Sequence, residues 1–373
     1  MKFDKDTLAS LQLATSKIMA EGPLEATKAI QRALAGQQVT APAMKDINPP
    51  PAAGTAPRTS APDMPHFSEL PTARGIADLL GRKRPRSPAP PLPPGARFLS
   101  ARYSGAEGAR AYKLYVPASY SGQPMPLVVM LHGCTQNPDD FAAGTRMNQL
   151  AERDGFLVLY PAQSPEMNHS LCWNWFTPEV RQRGHGEAAI IAGMAVHIMA
   201  EYAVRSERVG IAGLSAGGAM ALAVATLYPE MFHAVGVHSG LPFGAAHDLP
   251  SALQAMRTGG TAAAPLAGPR LIVFHGDKDK TVHSLNAKHI MASKTGTEAH
   301  VTKESHKGKA QGGRRYTCTT YRRPNGEAVA EQWDIHGAGH AWAGGSQHGS
   351  FTDATGPDAS SEMLRFFGFS AAQ

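Results

Sequence analysis

Seven short apolar runs recur along the chain from about residue 97, and turns or helical segments separate them. The runs are KLYVP, PLVVMLHG, GFLVLYPA, RVGIAGLS, AVGVHSG, PRLIVFHGD and EQWDIHGAG. Between them, residues 138–154, with Asn137 as a cap, and residues 187–204 have helical patterns. Short apolar strands that alternate with helices predict an α/β fold: a mostly parallel sheet with helices on both faces. Ligands of such sheets bind at the carboxyl ends of the strands.

The first 96 residues have a different pattern. Residues 4–19 and 23–34 each carry one apolar stripe at helical spacing, so residues 1–40 are predicted to be a short amphipathic helical segment. Residues 41–94 hold 14 of the 29 prolines, a composition that favours extended, solvated backbone. We therefore expect a disordered proline-rich linker over 41–96 and one α/β domain over 97–373.

Composition narrows the class of protein. Hydrophobic residues make up 42% of the chain and charged residues 18%, as in a globular protein. The net charge is +6, but much of the excess lies in GRKRPR at 81–86, so we expect no nucleic-acid partner. No apolar stretch approaches the 18 residues of a membrane span. The first residues lack the apolar core of a signal peptide, which predicts a cytoplasmic protein.

The segment GLSAG at 213–217 matches the GxSxG pattern of a nucleophile elbow. An apolar strand precedes it and an alanine-rich helical stretch follows it, which is the context that gives the pattern meaning. Its glycines allow a turn sharp enough to expose the Ser215 hydroxyl. A glycine-rich turn without chemistry is the alternative, but the setting favours a nucleophile.

A serine nucleophile needs a base and an acid that orients the base. His340, in a loop loosened by glycines after the last apolar run, is the candidate base, and His336 is its nearest rival. Their spacing is that of a helical zinc site, but the intervening glycines argue against a helix. Asp279 and Asp277 both follow the strand PRLIVFHG. Position favours Asp279, which lies farther into the loop, whereas Asp277 is expected to cap the turn.

The oxyanion of an acyl-transfer reaction needs backbone donors. The N–H of Ala216, directly after the serine, is one candidate. The other is an amide in LHGCTQ at 131–136, where Cys134 is the best placed. A tight turn without this role is the alternative reading of LHGCTQ.

Several motifs, taken in order, resemble the esterases of the poly(3-hydroxybutyrate) depolymerase family. They are LHGCTQ, CWNWF, GLSAGGAMA, VGVHSGLPFG, HGDKDKTV and HGAGHAWAGG, with GPDAS near the end, and they cover about residues 97–369. The resemblance implies an α/β-hydrolase fold, a Ser215–His340–Asp279 triad and an oxyanion amide at Cys134. It also implies a disulfide between Cys134 and Cys172, which a cytoplasmic location would disfavour.

The resemblance implies hydrolysis of carboxylic esters with no metal or organic cofactor. Short-chain 3-hydroxyalkanoate polyesters or oligomers are the expected substrates; feruloyl or acetyl esters, or a non-catalytic granule protein with a hydrolase fold, are the alternatives. Trp342 and Trp173 or Trp175 are expected to line a groove for an apolar acyl chain, unless they are core residues. The N-terminal helices are expected to dock on a polyester granule or to pack on the hydrolase domain.

Overall fold

A ten-stranded sheet forms the centre of the computed structural model, which describes residues 91–369. Its strands are β1 Arg97–Gly105, β2 Gly108–Val116, β3 Met125–Leu131, β4 Leu157–Pro161, β5 Val204–Leu214, β6 Ala234–His238, β7 Arg270–Gly276, β8 Thr302–Lys309, β9 Arg315–Arg322 and β10 Ala328–Ile335. The strand order is β1-β2-β4-β3-β5-β6-β7-β10-β9-β8. All neighbours from β4 to β10 pair in parallel, whereas the pairs at both ends are antiparallel.

Helices cover both faces of this sheet, as the sequence predicts. They are α1 Pro138–Thr145, α2 Met147–Asp154, α3 Gly186–Glu201, α4 Ala216–Leu227, α5 Leu249–Thr258, α6 Leu285–Thr295 and α7 Ala359–Phe367, with a short 3-10 helix at Pro178–Arg181. All seven residues of β3 are buried because successive side chains enter two different cores. Leu127 and Val129 pack in the core with α3, α4 and α6, whereas Val128 and Met130 pack in the core with α1, α2 and α7.

The single helix predicted over 138–154 is two helices. Asn137 caps the first as expected, because its side chain accepts a hydrogen bond from the Asp140 N–H at 2.9 Å. Arg146 then adopts a left-handed conformation with φ 57° and separates α1 from α2. Its guanidinium donates to the Gly344 carbonyl at 2.9 Å and contacts Asp358. The chain therefore breaks the helix where it meets the loops near the carboxyl terminus.

Three strands of the large sheet are absent from the sequence prediction. β1, β8 and β9 lie at the two ends of the sheet, and every residue of β8 except Gly308 is exposed. Two short strands, β11 Trp342–Ala343 and β12 Thr352–Asp353, pair in parallel in a separate small sheet. The latter pair organises the loop that follows His340.

The predicted helical segment over 1–40 and most of the linker predicted over 41–96 lie outside the described residues. β1, the first strand of the described residues, begins at Arg97, and the bounds of the three predicted segments stay predictions. Within residues 91–369, none of the helices is long and apolar enough to cross a membrane.

Candidate active site

Ser215 occupies the sharp turn between β5 and α4. Its backbone has φ 58° and ψ −121°, a conformation that costs free energy for a residue with a side chain. A Cβ on Gly213 would overlap the backbone of Gly217, and one on Gly217 would overlap the Leu131 carbonyl at the end of β3. Both glycines are therefore required for the turn. The Ser215 N–H donates to the His238 carbonyl at 2.9 Å, which fixes the turn to β6.

The predicted acid and base are in direct contact. His340 Nδ1 donates to Asp279 Oδ2 at 2.7 Å, and the exposed fractions of the two side chains are 12% and 0%. Asp279 Oδ1 also accepts from the N–H groups of Thr281 and Val282, at 2.8 and 2.9 Å. Burial opposes ionisation of Asp279, but the hydrogen bond and charge of His340 outweigh it and lower the pKa of this carboxyl. The carboxylate is thus ionised and held in one orientation.

The rival residues form a second, exposed pair. His336 Nδ1 lies 3.3 Å from Asp277 Oδ2, and about two fifths of each side chain is exposed, 40% and 42%. Asp277 Oδ1 accepts from the Gly337 N–H at 2.7 Å, so this carboxylate caps a turn. The other ring nitrogen of His336 contacts the Thr317 hydroxyl at 2.9 Å. Each histidine thus has its own aspartate.

The loops after β7 and β10 lie side by side because these strands are parallel neighbours. The Asp277 N–H donates to the Ile335 carbonyl at 3.1 Å, and the Lys278 N–H donates to the Ala338 carbonyl at 2.9 Å. These bonds join the loop that carries Asp279 to the loop that carries His340.

The predicted oxyanion donors lie at the ends of β3 and β5. The Gly133 N–H donates to the Gln136 side chain at 2.9 Å, and the Thr135 N–H donates to the Ser170 carbonyl at 2.7 Å. Among residues 91–369, the structure gives the N–H groups of Cys134 and Ala216 no acceptor. These two amides are therefore available to a ligand.

A disulfide joins Cys134 to Cys172, the pairing that the family resemblance implies, and Cys318 is buried as a free thiol. The bridge ties the loop after β3 to the segment 172–174.

A buried polar cluster that the sequence analysis missed supports this segment. Glu187, in the first turn of α3, accepts from the Asn174 N–H at 2.7 Å and from Arg110 at 3.2 Å. The same carboxylate accepts from Gln163, whose amide also donates to the Cys172 carbonyl at 2.9 Å. The feature of the sequence that points to this cluster is Glu187 itself, an acidic residue at the start of an otherwise apolar helix.

The tryptophans predicted to line an acyl groove are core residues, so that prediction is corrected. Trp173 and Trp342 have exposed fractions of 0% and 1%, and each indole N–H has an acceptor inside the protein. Trp173 donates to the His132 carbonyl at 3.1 Å, and Trp342 donates to the Ser360 hydroxyl at 3.0 Å. Trp175 is also buried.

A cleft of about 710 Å³ opens elsewhere on the described surface. Arg146, Tyr316, Trp333 and Asp358 are among its lining residues, and none of the predicted site residues lines it. The cleft therefore does not mark the site at Ser215.

The parallel sheet, the serine between β5 and α4, and the Asp–His pair after β7 and β10 together define an α/β-hydrolase. The solved acetyl xylan esterase from Aspergillus awamori shares this fold, with a TM-score of 0.58 and 21% identity over 74% of this chain and 99% of that one. Residues 110–295 match the family model described as esterase PHB depolymerase, and the chain belongs to this family.

The names of the curated relatives refer to several different ester substrates. The chain is 30% identical to poly(3-hydroxyalkanoate) depolymerase C of Paucimonas lemoignei, over 59% of this chain and 56% of the relative. It is 32% identical to feruloyl esterase B of Thermothelomyces thermophilus, over 45% of this chain and 64% of the relative. It is 30% identical to probable acetylxylan esterase A of Aspergillus fumigatus, over 46% of this chain and 51% of the relative. The chain spans about half to two thirds of the length of these relatives.

Proposed function

We propose that the chain is a serine esterase that uses Ser215, His340 and Asp279. The observation that carries this proposal is the buried 2.7 Å hydrogen bond between Asp279 and His340, in a fold that holds Ser215 on a strained elbow. Membership of an esterase family supports the same activity.

The geometry supports a two-step acyl transfer. Asp279 accepts the Nδ1 proton of His340, so the other ring nitrogen carries a lone pair that can take the hydroxyl proton of Ser215. The serine oxygen attacks the ester carbonyl, and the N–H groups of Cys134 and Ala216 stabilise the negative oxygen that forms. His340 returns its proton to the leaving alcohol. Water then attacks the acyl-enzyme with His340 again as the base, which releases the acid and restores Ser215.

We propose short-chain 3-hydroxyalkanoate polyesters or their oligomers as substrates. The name of the Paucimonas lemoignei relative supports this class, and the names of the fungal relatives support feruloyl or acetyl esters as the second candidate. Because the tryptophans beside the site are buried, the proposal does not depend on an aromatic groove.

A panel of esters tests activity and substrate class together. Full-length protein is assayed with p-nitrophenyl butyrate, hydroxybutyrate trimers, a feruloyl ester and an acetylated xylan oligomer, and Ser215→Ala is the matched control. A burst of p-nitrophenol that Ser215→Ala lacks supports the serine esterase, whereas its absence on every ester favours the non-catalytic granule protein. Faster turnover of feruloyl or acetyl esters than of trimers would replace the proposed substrate class.

We also propose that the apolar stripes of residues 4–19 and 23–34 dock the enzyme on a polyester granule. The support is their sequence pattern alone: a linker rich in proline separates these stripes from the domain. In full-length protein, Leu8→Glu with Leu11→Glu should reduce binding to amorphous poly(3-hydroxybutyrate) particles and leave turnover of p-nitrophenyl butyrate unchanged. Equal particle binding would favour packing of these helices on the domain instead.

The predicted cytoplasmic location conflicts with the Cys134–Cys172 disulfide of the structure, and the state of these two cysteines in cells decides between them. Disulfides are rare in the cytosol because its reductants keep thiols reduced. Thiols are alkylated in intact cells of the source organism, and Cys134 and Cys172 are then examined by peptide mass spectrometry. Recovery of the bridged peptides would contradict a cytoplasmic location, whereas two alkylated cysteines would support it.

A further inference from the structure

His238, at the end of β6, contacts both halves of the proposed site. Its backbone carbonyl accepts from the N–H of Ser215 at 2.9 Å. Its ring nitrogen Nε2 accepts from the N–H of Ala343 at 3.0 Å. Ala343 follows His340 by three residues and lies in β11. One residue therefore links the nucleophile turn to the loop that carries the base.

Packing fixes the ring of His238. The imidazole is fully buried and stacks between Trp342 and Phe274, with centroid distances of 5.2 and 5.8 Å and interplanar angles of 26° and 12°. The loop after the base thus gains an aromatic contact as well as a hydrogen bond. Trp342, wrongly predicted to face substrate, is the partner in that contact.

The hydrogen bonds determine the form of the imidazole. Nε2 accepts from a backbone N–H and so carries no proton, which leaves the proton on Nδ1, 3.1 Å from the Ser239 hydroxyl. Burial, together with the nearby His275 and His340, lowers the pKa of His238 to about 3, although Asp279 and Asp353 act in the opposite direction. The ring is therefore neutral at physiological pH and remains an acceptor.

We propose that His238 is a positioning residue that holds the His340 loop in register with Ser215 through the Nε2 bond to Ala343. This inference rests on the proposed esterase function and assigns a role to a residue outside the triad and the oxyanion donors. The bond matters because a displacement of about 1 Å between reacting groups costs on the order of 10²-fold in rate.

Two substitutions separate the hydrogen bond from the packing. His238→Phe retains a flat ring between Trp342 and Phe274 but has no acceptor, whereas His238→Gln can place an amide oxygen near the position of Nε2. We expect His238→Phe to lower kcat on p-nitrophenyl butyrate about 10²-fold with little change in KM. We expect His238→Gln to recover at least a tenth of the wild-type kcat.

Three measurements distinguish positioning from a loss of folded protein. Thermal unfolding gives the folded fraction, and the acid limb of the kcat/KM profile gives the pKa of the base in the free enzyme. If the His340 loop loosens, the base loses part of its bond to Asp279, so this limb moves to lower pH in His238→Phe. The Nδ1–H proton of His340 should also lose its downfield NMR resonance in this variant, a change that is observable without turnover.

The outcomes separate this inference from the proposed function. Wild-type kcat and an unchanged His340 resonance in His238→Phe would overturn the positioning role, as would a folded His238→Gln as inactive as the phenylalanine variant. If wild-type protein shows no activity that depends on Ser215, the esterase proposal fails. The NMR comparison then still decides whether His238 holds the loop.

Discussion

Replacement of the buried carboxylate Asp279 by asparagine tests the central hydrogen bond of the site. Asp279 accepts from His340 through Oδ2 and from the N–H groups of Thr281 and Val282 through Oδ1. All three partners are donors. An asparagine at this position has only one oxygen, so one side of the side chain must present an NH₂ group to a donor.

Either orientation damages the site. If the NH₂ group faces His340, the imidazole must accept at Nδ1 and carry its proton on Nε2, where it cannot take the proton of Ser215. If the NH₂ group faces Thr281 and Val282, two buried N–H groups lose their acceptor. We therefore expect Asp279→Asn to lower kcat about 10⁴-fold, which corresponds to roughly 5 kcal/mol of transition-state stabilisation.

Asp277→Asn is the matched control. Asp277 is exposed, whereas Asp279 is buried. The amide oxygen of an asparagine at position 277 can still accept the hydrogen bond from the Gly337 N–H that caps the turn. We expect its kcat to fall less than about tenfold on p-nitrophenyl butyrate. Both variants should retain the wild-type circular dichroism spectrum. A larger loss in Asp277→Asn than in Asp279→Asn would refute the reasoning and move the acid to the exposed pair.

Three further predictions concern the nucleophile, the disulfide and acid stability. Ser215→Ala should lower turnover about 10⁶-fold in a folded protein, and activity above a few per cent would exclude Ser215 as nucleophile. Cys172→Ala removes the disulfide to Cys134, which closes a loop of 38 residues, and should lower the free energy of unfolding in urea by about 4 kcal/mol. Wild-type protein with this disulfide reduced should lose the same amount of stability. Burial is the main reason why the pKa of His132 is about 4 and that of His238 about 3, below the ordinary value of 6.5. As the pH falls, these two histidines therefore take up protons in the unfolded chain before they do so in the folded protein, which favours unfolding. Urea unfolding should therefore show a loss of about 2 kcal/mol between pH 6 and pH 5, whereas pH-independent stability would contradict this reasoning.

The centre of the sheet could be predicted from sequence because its strands are buried on both faces. A strand such as β3 has no polar position, so it reads as a continuous apolar run. β8, with the sequence TKESHKGK, differs from β3 in this respect. Among residues 91–369 its single neighbour is β9, at the edge of the sheet, and almost all of its residues are exposed. Hydrogen bonds of the backbone hold such a strand, and they leave no hydrophobic period in the sequence.

The residue types of the site could be predicted, but their surroundings could not. The context of GLSAG identified the turn at Ser215, because its glycine requirement is local. The roles expected of Trp173 and Trp342 were wrong because proximity in sequence to Cys172 or His340 does not determine which way an indole points. Likewise, the support of segment 172–174 by Glu187 depends on contacts between distant segments.

The two Asp–His pairs show why surroundings decide the role. Both carboxylates follow β7 and both histidines follow β10, so residue type and strand position are the same. The carboxylate of Asp279 is sealed from water and held by two backbone N–H groups, so its attraction to His340 is weakly screened. Water and ions screen the exposed pair Asp277–His336. Burial and hydrogen bonding of the carboxylate, not residue type or strand position, therefore distinguish the two pairs, and this difference supports the proposal of His340 over His336 as the base.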